Sequence, residues 1–228
     1  MKALAIDCAV TRLTVAAKDD HRVVKTTYDI GMKQSEKLLP AIDSVLRELN
    51  ISAKDLDYTT ITIGPGSFTG LRLGLSALKA LEISNKTPIY GVSTLDAYAM
   101  PYDSAIENVL SVIFGNKEQF YNCFYVRGNK VTEEADSSID EILNQIDPEN
   151  DVLVVGPDAD IFVNMVKDKT PLYGIHYFDF KSDCTESLFQ IAEKMIADKK
   201  EPCAEYEGPV YLRKSEAEIV LEKNKSAE

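Results

Sequence analysis

Tyr58-Thr59-Thr60-Ile61-Thr62-Ile63-Gly64-Pro65-Gly66-Ser67-Phe68-Thr69-Gly70-Leu71-Arg72-Leu73-Gly74 joins a β-branched run to a glycine-rich turn and then to a long apolar segment. β-branched side chains favour pleated backbone, so 59–63 reads as a strand. The apolar stretch from Leu71 to about Ser84 reads as a helix. A glycine turn between the two can serve either of two ends. It can aim bare N–H groups at an anion on the helix N-terminus, with Gly64, Gly66, Ser67, Thr69 and Arg72 as contacts. Or it can let two backbones approach closely, with Ser67 or Thr69 as the helix cap. The segment lacks the Gly-Lys-Ser/Thr ending of a P-loop. Both readings stay open on sequence alone.

Outward from this stretch the chain alternates strands and helices. Upstream, Ala3–Ile6, Leu13–Ala17 and Arg22–Tyr28 are short apolar or β-branched runs with brief breaks, which predicts an antiparallel meander. Gln34–Leu49 carries Leu38, Ile42, Val45 and Leu49 on one stripe, widened by Leu39 and Leu46, and reads as a helix that Pro40 should start or kink. Downstream, Pro88–Val92 is a strand, and Ser93 or Thr94 caps a helix towards Met100. The order then begins again. Strands at 109–114, 119–126 and 130–133 are followed by a helix from Ser138 to Ile146, a strand at 152–155 and a helix at 159–167. A strand near 175–178 and a helix at 185–198 follow. A β-β-β-α-β-α order thus occurs twice, a duplication of elements rather than of residues. The tail from Glu216 is polar and reads as disordered.

Length and charge bound the function. With 228 residues, 45% hydrophobic and 27% charged, the chain can bury a proper core. It shows no run long enough to span a bilayer, and its start reaches Asp7 too soon for a signal peptide, so a cytoplasmic location is expected. The formal net charge of −12 argues against direct binding of nucleic acid, which needs clustered Lys and Arg, and permits a basic partner. The four cysteines form no CxxC pair, so no disulfide framework or zinc site is expected.

The helix after the glycine turn is apolar almost all round, through Leu71, Leu73, Leu75, Ala77, Leu78, Ala80, Leu81 and Ile83. Such a helix is buried on more than one side. Either its own domain surrounds it, or the surplus is an oligomer interface. The expected interface is Leu71, Gly74, Leu75 and Leu78, extended by Leu38, Leu39 and Ile42. Asp7 closes the first strand and Thr11 lies in the following turn. They are candidates for a nucleotide or anion contact, but Cys8-Ala9-Val10-Thr11-Arg12 has no glycine to open backbone amides to a phosphate. Asp7 bonding its own turn is the structural alternative. Only two histidines occur, His21 and His176, far apart in sequence. That leaves a metal without its ligands and Ser67, which directly follows Gly66, without a base.

Several segments together resemble the bacterial TsaB (YeaZ) family: Asp7 at the end of the first strand, Ser35-Glu36-Lys37-Leu38-Leu39-Pro40, the 64–74 turn, Gly91-Val92-Ser93-Thr94-Leu95, and Pro209-Val210-Tyr211-Leu212-Arg213. The resemblance spans residues 1 to about 215. It implies an α/β fold of two actin-like (ribonuclease H-like) domains, each β-β-β-α-β-α with the second reduced. The expected division is 1–103, 104–205, and a C-terminal docking segment with polar tail at 206–228. It implies a noncatalytic partner in making threonylcarbamoyladenosine beside the anticodon of tRNA. The implied partners are the catalytic subunit TsaD and the ATPase TsaE, with a homodimer when alone and tRNA met only through the complex. No cofactor of its own is expected, and ATP or ADP is expected at most at the assembled interface. The catalytic relative's histidine pair has no counterpart in Lys33-Gln34-Ser35-Glu36-Lys37. The chain also departs from the family at Ile113-Phe114-Gly115-Asn116, where many members carry Asp-Ala-Arg. The alternative reading is a nucleotide-binding actin-like ATPase or phosphotransferase, and a metallopeptidase reading is weaker still.

Overall fold

The computed structural model describes residues 1–167, 169, 174–179 and 181–213. The polar tail from Glu216 lies outside the described residues. The first meander is β1 (Lys2–Asp7), β2 (Arg12–Asp19) and β3 (Arg22–Asp29), followed by α1 (Gln34–Glu48), β4 (Tyr58–Gly64), α2 (Phe68–Asn85), β5 (Ile89–Ser93) and α3 (Thr94–Ala99). The second series is β6 (Asn108–Asn116), β7 (Gln119–Val126), β8 (Asn129–Lys130), β9 (Ala135–Ser138), α4 (Ile139–Leu143), β10 (Val152–Val155), α5 (Ala159–Lys167), β11 (Ile175–Tyr177) and α6 (Thr185–Ala197).

The duplication read from element order is a duplication of topology. The first sheet runs β3-β2-β1-β4-β5 and the second β8-β7-β6-β10-β11, the same order with the same parallel and antiparallel joins. β4 pairs parallel to β1 with Ile6 opposite Ile61, so Asp7 emerges beside Thr62. Two helices of the second half are shorter, α4 and α5 having 5 and 9 residues against 15 and 18 in α1 and α2. Of the strand expected over 130–133 only Lys130 is in a strand, β8; Thr132 takes the Phe124 amide with its hydroxyl, and pairing with β7 resumes in β9. α1 begins at Gln34, so Pro40 lies inside the helix rather than starting it.

Residue size decides which helix covers which face. On one face of the first sheet Leu4, Ile6, Leu13, Val15, Ile61 and Ile89 meet α1 and α2 through Leu38, Ile42, Val45, Leu75 and Leu78. The other face carries Ala3, Ala5 and Ala16, small enough for a helix to lie close, and is covered by α6 through Cys184, Leu188, Phe189 and Ala192. Lys18 and Tyr58 both bond Glu193 of α6. The sequence reading placed α6 in the second half; it packs on the first sheet, where it shares the alanine face with Ala97 and Tyr98 of α3. α3 makes the reverse crossing, with Leu95 and Ala99 buried against Val109, Ile113, Tyr125 and Val155 of the second sheet.

Candidate functional site

Ser67 caps α2. Its Oγ accepts from the Gly70 amide at 3.3 Å, and its own N–H donates to the Ala9 carbonyl at 2.6 Å. The glycines around it are filled from outside. Gly64 has φ +126° and lies against the Val210 carbonyl, where a Cβ has no room. Gly66 lies against Ala9, Gly70 against the Cys8 carbonyl, and Gly74 against Cys8 Sγ and Ile61. The turn thus brings the β1–β2 loop and the C-terminal segment onto the start of α2. A carbonyl, rather than an open space for an anion, faces the Ser67 amide. Thr11, Thr69 and Arg72 are exposed.

Asp7 is buried, and four donors reach its two oxygens. Oδ1 accepts from the Ala9 amide at 3.1 Å and the Thr62 hydroxyl at 3.0 Å; Oδ2 accepts from the Tyr98 hydroxyl at 2.7 Å and the Cys184 thiol at 3.3 Å. One carboxylate therefore ties β1 to β4, α3 and α6. Burial, then the Asp7 charge, pushes the Cys8 thiol up to about 12 and holds Tyr98 and Cys184 well above their ordinary ranges. A magnesium ion finds no free lone pair on Asp7, while Gln34 donates its amide NH2 to the Val10 carbonyl at 2.6 Å and keeps a buried Oε1 without a partner among the described residues. Asp7, with both oxygens engaged by its own fold, does not fit as a ligand of a nucleotide–metal group. Tyr98, Thr62 and Cys184 were invisible as partners of Asp7 in sequence, since only the sheet register and the α6 crossing bring them together.

The expected interface residues divide on the structure. Leu71, Leu75 and Leu78 of α2, with Leu38 and Ile42 of α1, are buried in the chain's own core, and Gly74 packs on Cys8. As an outer surface they are a correction: the sheet and its neighbouring helix take up that face. Leu39 is exposed, at 65%. The outward stripe of α2 is Arg72, Ser76, Ala80 and Ile83, with Leu73 and Ala77 half-buried at its edge, and Ile83 is 82% exposed. The i, i+4, i+7 spacing of Ser76, Ala80 and Ile83 could have marked this second face.

The C-terminal segment crosses the same helix. Tyr211 stacks on Phe68 with ring centres 3.9 Å apart, and its hydroxyl accepts from Arg72 Nε at 2.9 Å. Arg213 then grips Asp136 of β9 through two bonds of 2.7 Å and lies beside Gly115. The Pro209–Arg213 motif is a strap over both sheets.

A family model described as TsaD, tRNA N6-adenosine threonylcarbamoyltransferase, matches residues 29–221. The chain is 28% identical over 229 aligned residues to the Bacillus subtilis (strain 168) tRNA threonylcarbamoyladenosine biosynthesis protein TsaB, covering 96% of each. It is 26% identical over 227 residues to the Escherichia coli (strain K12) protein of the same name, covering 95% of this chain and 96% of that one. Among solved structures it is similar to YeaZ from Pseudomonas aeruginosa, with TM-score 0.78 and 22% identity over 92% of this chain and 99% of that one, a likeness of fold.

Proposed function

From the premise that this chain belongs to the TsaD family, we propose that it is a noncatalytic scaffold for threonylcarbamoyladenosine modification of tRNA. It binds the catalytic subunit TsaD together with the ATPase TsaE, and meets tRNA only through them. Alone, it pairs with a second copy through the same surface. The work is cytoplasmic, and an adenine nucleotide, where one takes part, belongs to the interface of the assembled complex. The observation that carries the reading is the second face of α2: Ser76, Ala80 and Ile83 form a small-residue and apolar stripe that the chain's own core does not use. Small side chains let another helix approach closely, and Ile83 supplies an apolar anchor. The occupied lone pairs of Asp7 support the noncatalytic part, and the net charge of −12 supports contact with tRNA through a partner rather than directly.

A reconstitution tests this. Purified chain is mixed with TsaD, TsaE, the adenylate-forming enzyme, threonine, bicarbonate, ATP and unmodified tRNA. The modified base should form only when the chain is present, and the chain alone should turn over nothing. Ile83→Glu should remove both the modification and the binding of TsaD while leaving the fold intact. Modification that proceeds equally without the chain would overturn the proposal.

A further inference from the structure

We infer that the C-terminal strap is a latch that couples the second sheet to the first turn of α2, the two being joined through Asp136, Arg213 and Tyr211. The strap is pinned at separated points. The Cys203 amide donates to the Ile89 carbonyl at 2.8 Å, Lys79 Nζ to the Ala204 carbonyl at 2.8 Å, and the Val210 amide to the Ile63 carbonyl at 2.7 Å. Between the last two pins the chain rests on little: Tyr206 is 92% exposed, and a side chain at Gly208 would meet open space. A segment with so few buried contacts opens at low free energy and depends on its ends.

The distal end is the strong one. Arg213 makes a bidentate, charge-assisted pair with Asp136, both partners largely shielded from water, and its guanidinium lies over Tyr121 at 5.4 Å. Asp136 belongs to the stretch through which the second half also touches the first. Lys130 Nζ bonds Asp96 and Glu134, each at 2.8 Å, and the Ser93 hydroxyl donates to Glu134 at 2.5 Å. Any shift of this stretch relative to the first sheet therefore pulls on Arg213. Two residues upstream of Arg213, Tyr211 covers the ring of Phe68, whose other neighbour is the Arg72 guanidinium at 4.4 Å. Loss of the Arg213–Asp136 pair frees Tyr211, which uncovers Phe68 and releases Arg72 at the start of α2. The latch is a property of the isolated chain, and it stands or falls independently of what docks on α2.

Amide hydrogen exchange on the isolated full chain tests it, reading Val210, Gly70 and Leu71 in Asp136→Ala, a substitution in the other half of the molecule. The Val210 amide should exchange about ten-fold faster, as expected for loss of a charge-assisted pair. Gly70 and Leu71, which bond Ser67 in the first turn, should follow by about three-fold, while Cys203 keeps its rate. The swapped pair Asp136→Arg with Arg213→Asp should restore them. Should Asp136→Ala perturb β9 itself, Arg213→Ala removes the same pair from the strap side and must give the same pattern. Faster exchange confined to β7 and β9, or to Val210 alone with Gly70 and Leu71 unchanged, overturns the coupling.

Discussion

Asp7 is a keystone because its four donors come from four separate parts of the fold. Removing the carboxylate leaves the Thr62 and Tyr98 hydroxyls and a buried amide without acceptors, and such orphaned groups each cost about 1–3 kcal/mol. Asp7→Ala should lower stability by about 3 kcal/mol in urea unfolding, and Asp7→Asn, which keeps one acceptor oxygen, by roughly half of that. A loss below about 0.5 kcal/mol for Asp7→Ala would contradict the keystone role. Asp183 gives one specific pH dependence. Burial pushes its carboxyl up, but hydrogen bonds from Lys25 at 2.7 Å and from the Thr185 hydroxyl at 2.6 Å outweigh it and hold the group below its ordinary value. A depressed folded pKa means that the group adds stability above its unfolded pKa of about 3.9, stability that is lost as pH falls through the folded value. The difference in stability between wild type and Asp183→Asn should be constant from about pH 5 to 8 and shrink below about pH 4. A difference that grows on acidification would refute the assignment.

At the scale of the element, α2 has two faces with different duties. Leu78 is fully buried against the first sheet, whereas Ile83, five residues on, is 82% exposed. Leu78→Ala creates a core cavity and should cost about 3 kcal/mol. Ile83→Glu should leave the unfolding midpoint within the small range of a surface change, about 0.5 kcal/mol, yet abolish pairing and partner binding by size-exclusion and titration. Loss of stability in both, or in neither, would mean that the two faces are wrongly assigned. The glycines of the preceding turn belong to this element as well. Gly70 and Gly74 let the loop after β1 lie directly on the helix, so that a run that also reads as an anion cradle packs here against Cys8.

For the whole molecule, the crossing helices make the two halves one folding unit. α6 covers the alanine face of the first sheet, and α3 buries Leu95 and Ala99 on the second. Neither sheet keeps a complete core without the other's third helix. Urea unfolding should therefore be a single transition, with far-UV circular dichroism and tyrosine fluorescence superimposing. A chain ended before Thr185 should fail to fold, since Ala3, Ala5, Tyr58 and Tyr90 lose their cover. Two separated transitions, or a soluble and cooperative truncated chain, would show the halves to be autonomous.

Local chemistry was enough to place most elements. Short apolar and β-branched runs marked β7, β10 and the first meander, and Ser138 marked where α4 begins, whereas Ser67 and Ser93 were each one of two candidate caps and α2 starts at Phe68, ahead of the expected Leu71. Those signals act over a few residues, as hydrogen bonds and side-chain rotamers do, so the duplicated β-β-β-α-β-α order followed from the sequence by itself. The apolar composition of α2 also required burial on more than one side. Which of its leucines face inward did not follow, because nearly every position is apolar and the choice belongs to the sheet beneath. Apart from the local Ala9 amide, the partners of Asp7, together with the Arg213–Asp136 clasp and the packing of Cys8, Ala9 and Val210 on the glycine turn, join residues from 55 to 177 positions apart. Contacts at such separations leave no local pattern, because they depend on sheet register and chain path, and only the tertiary structure decided them.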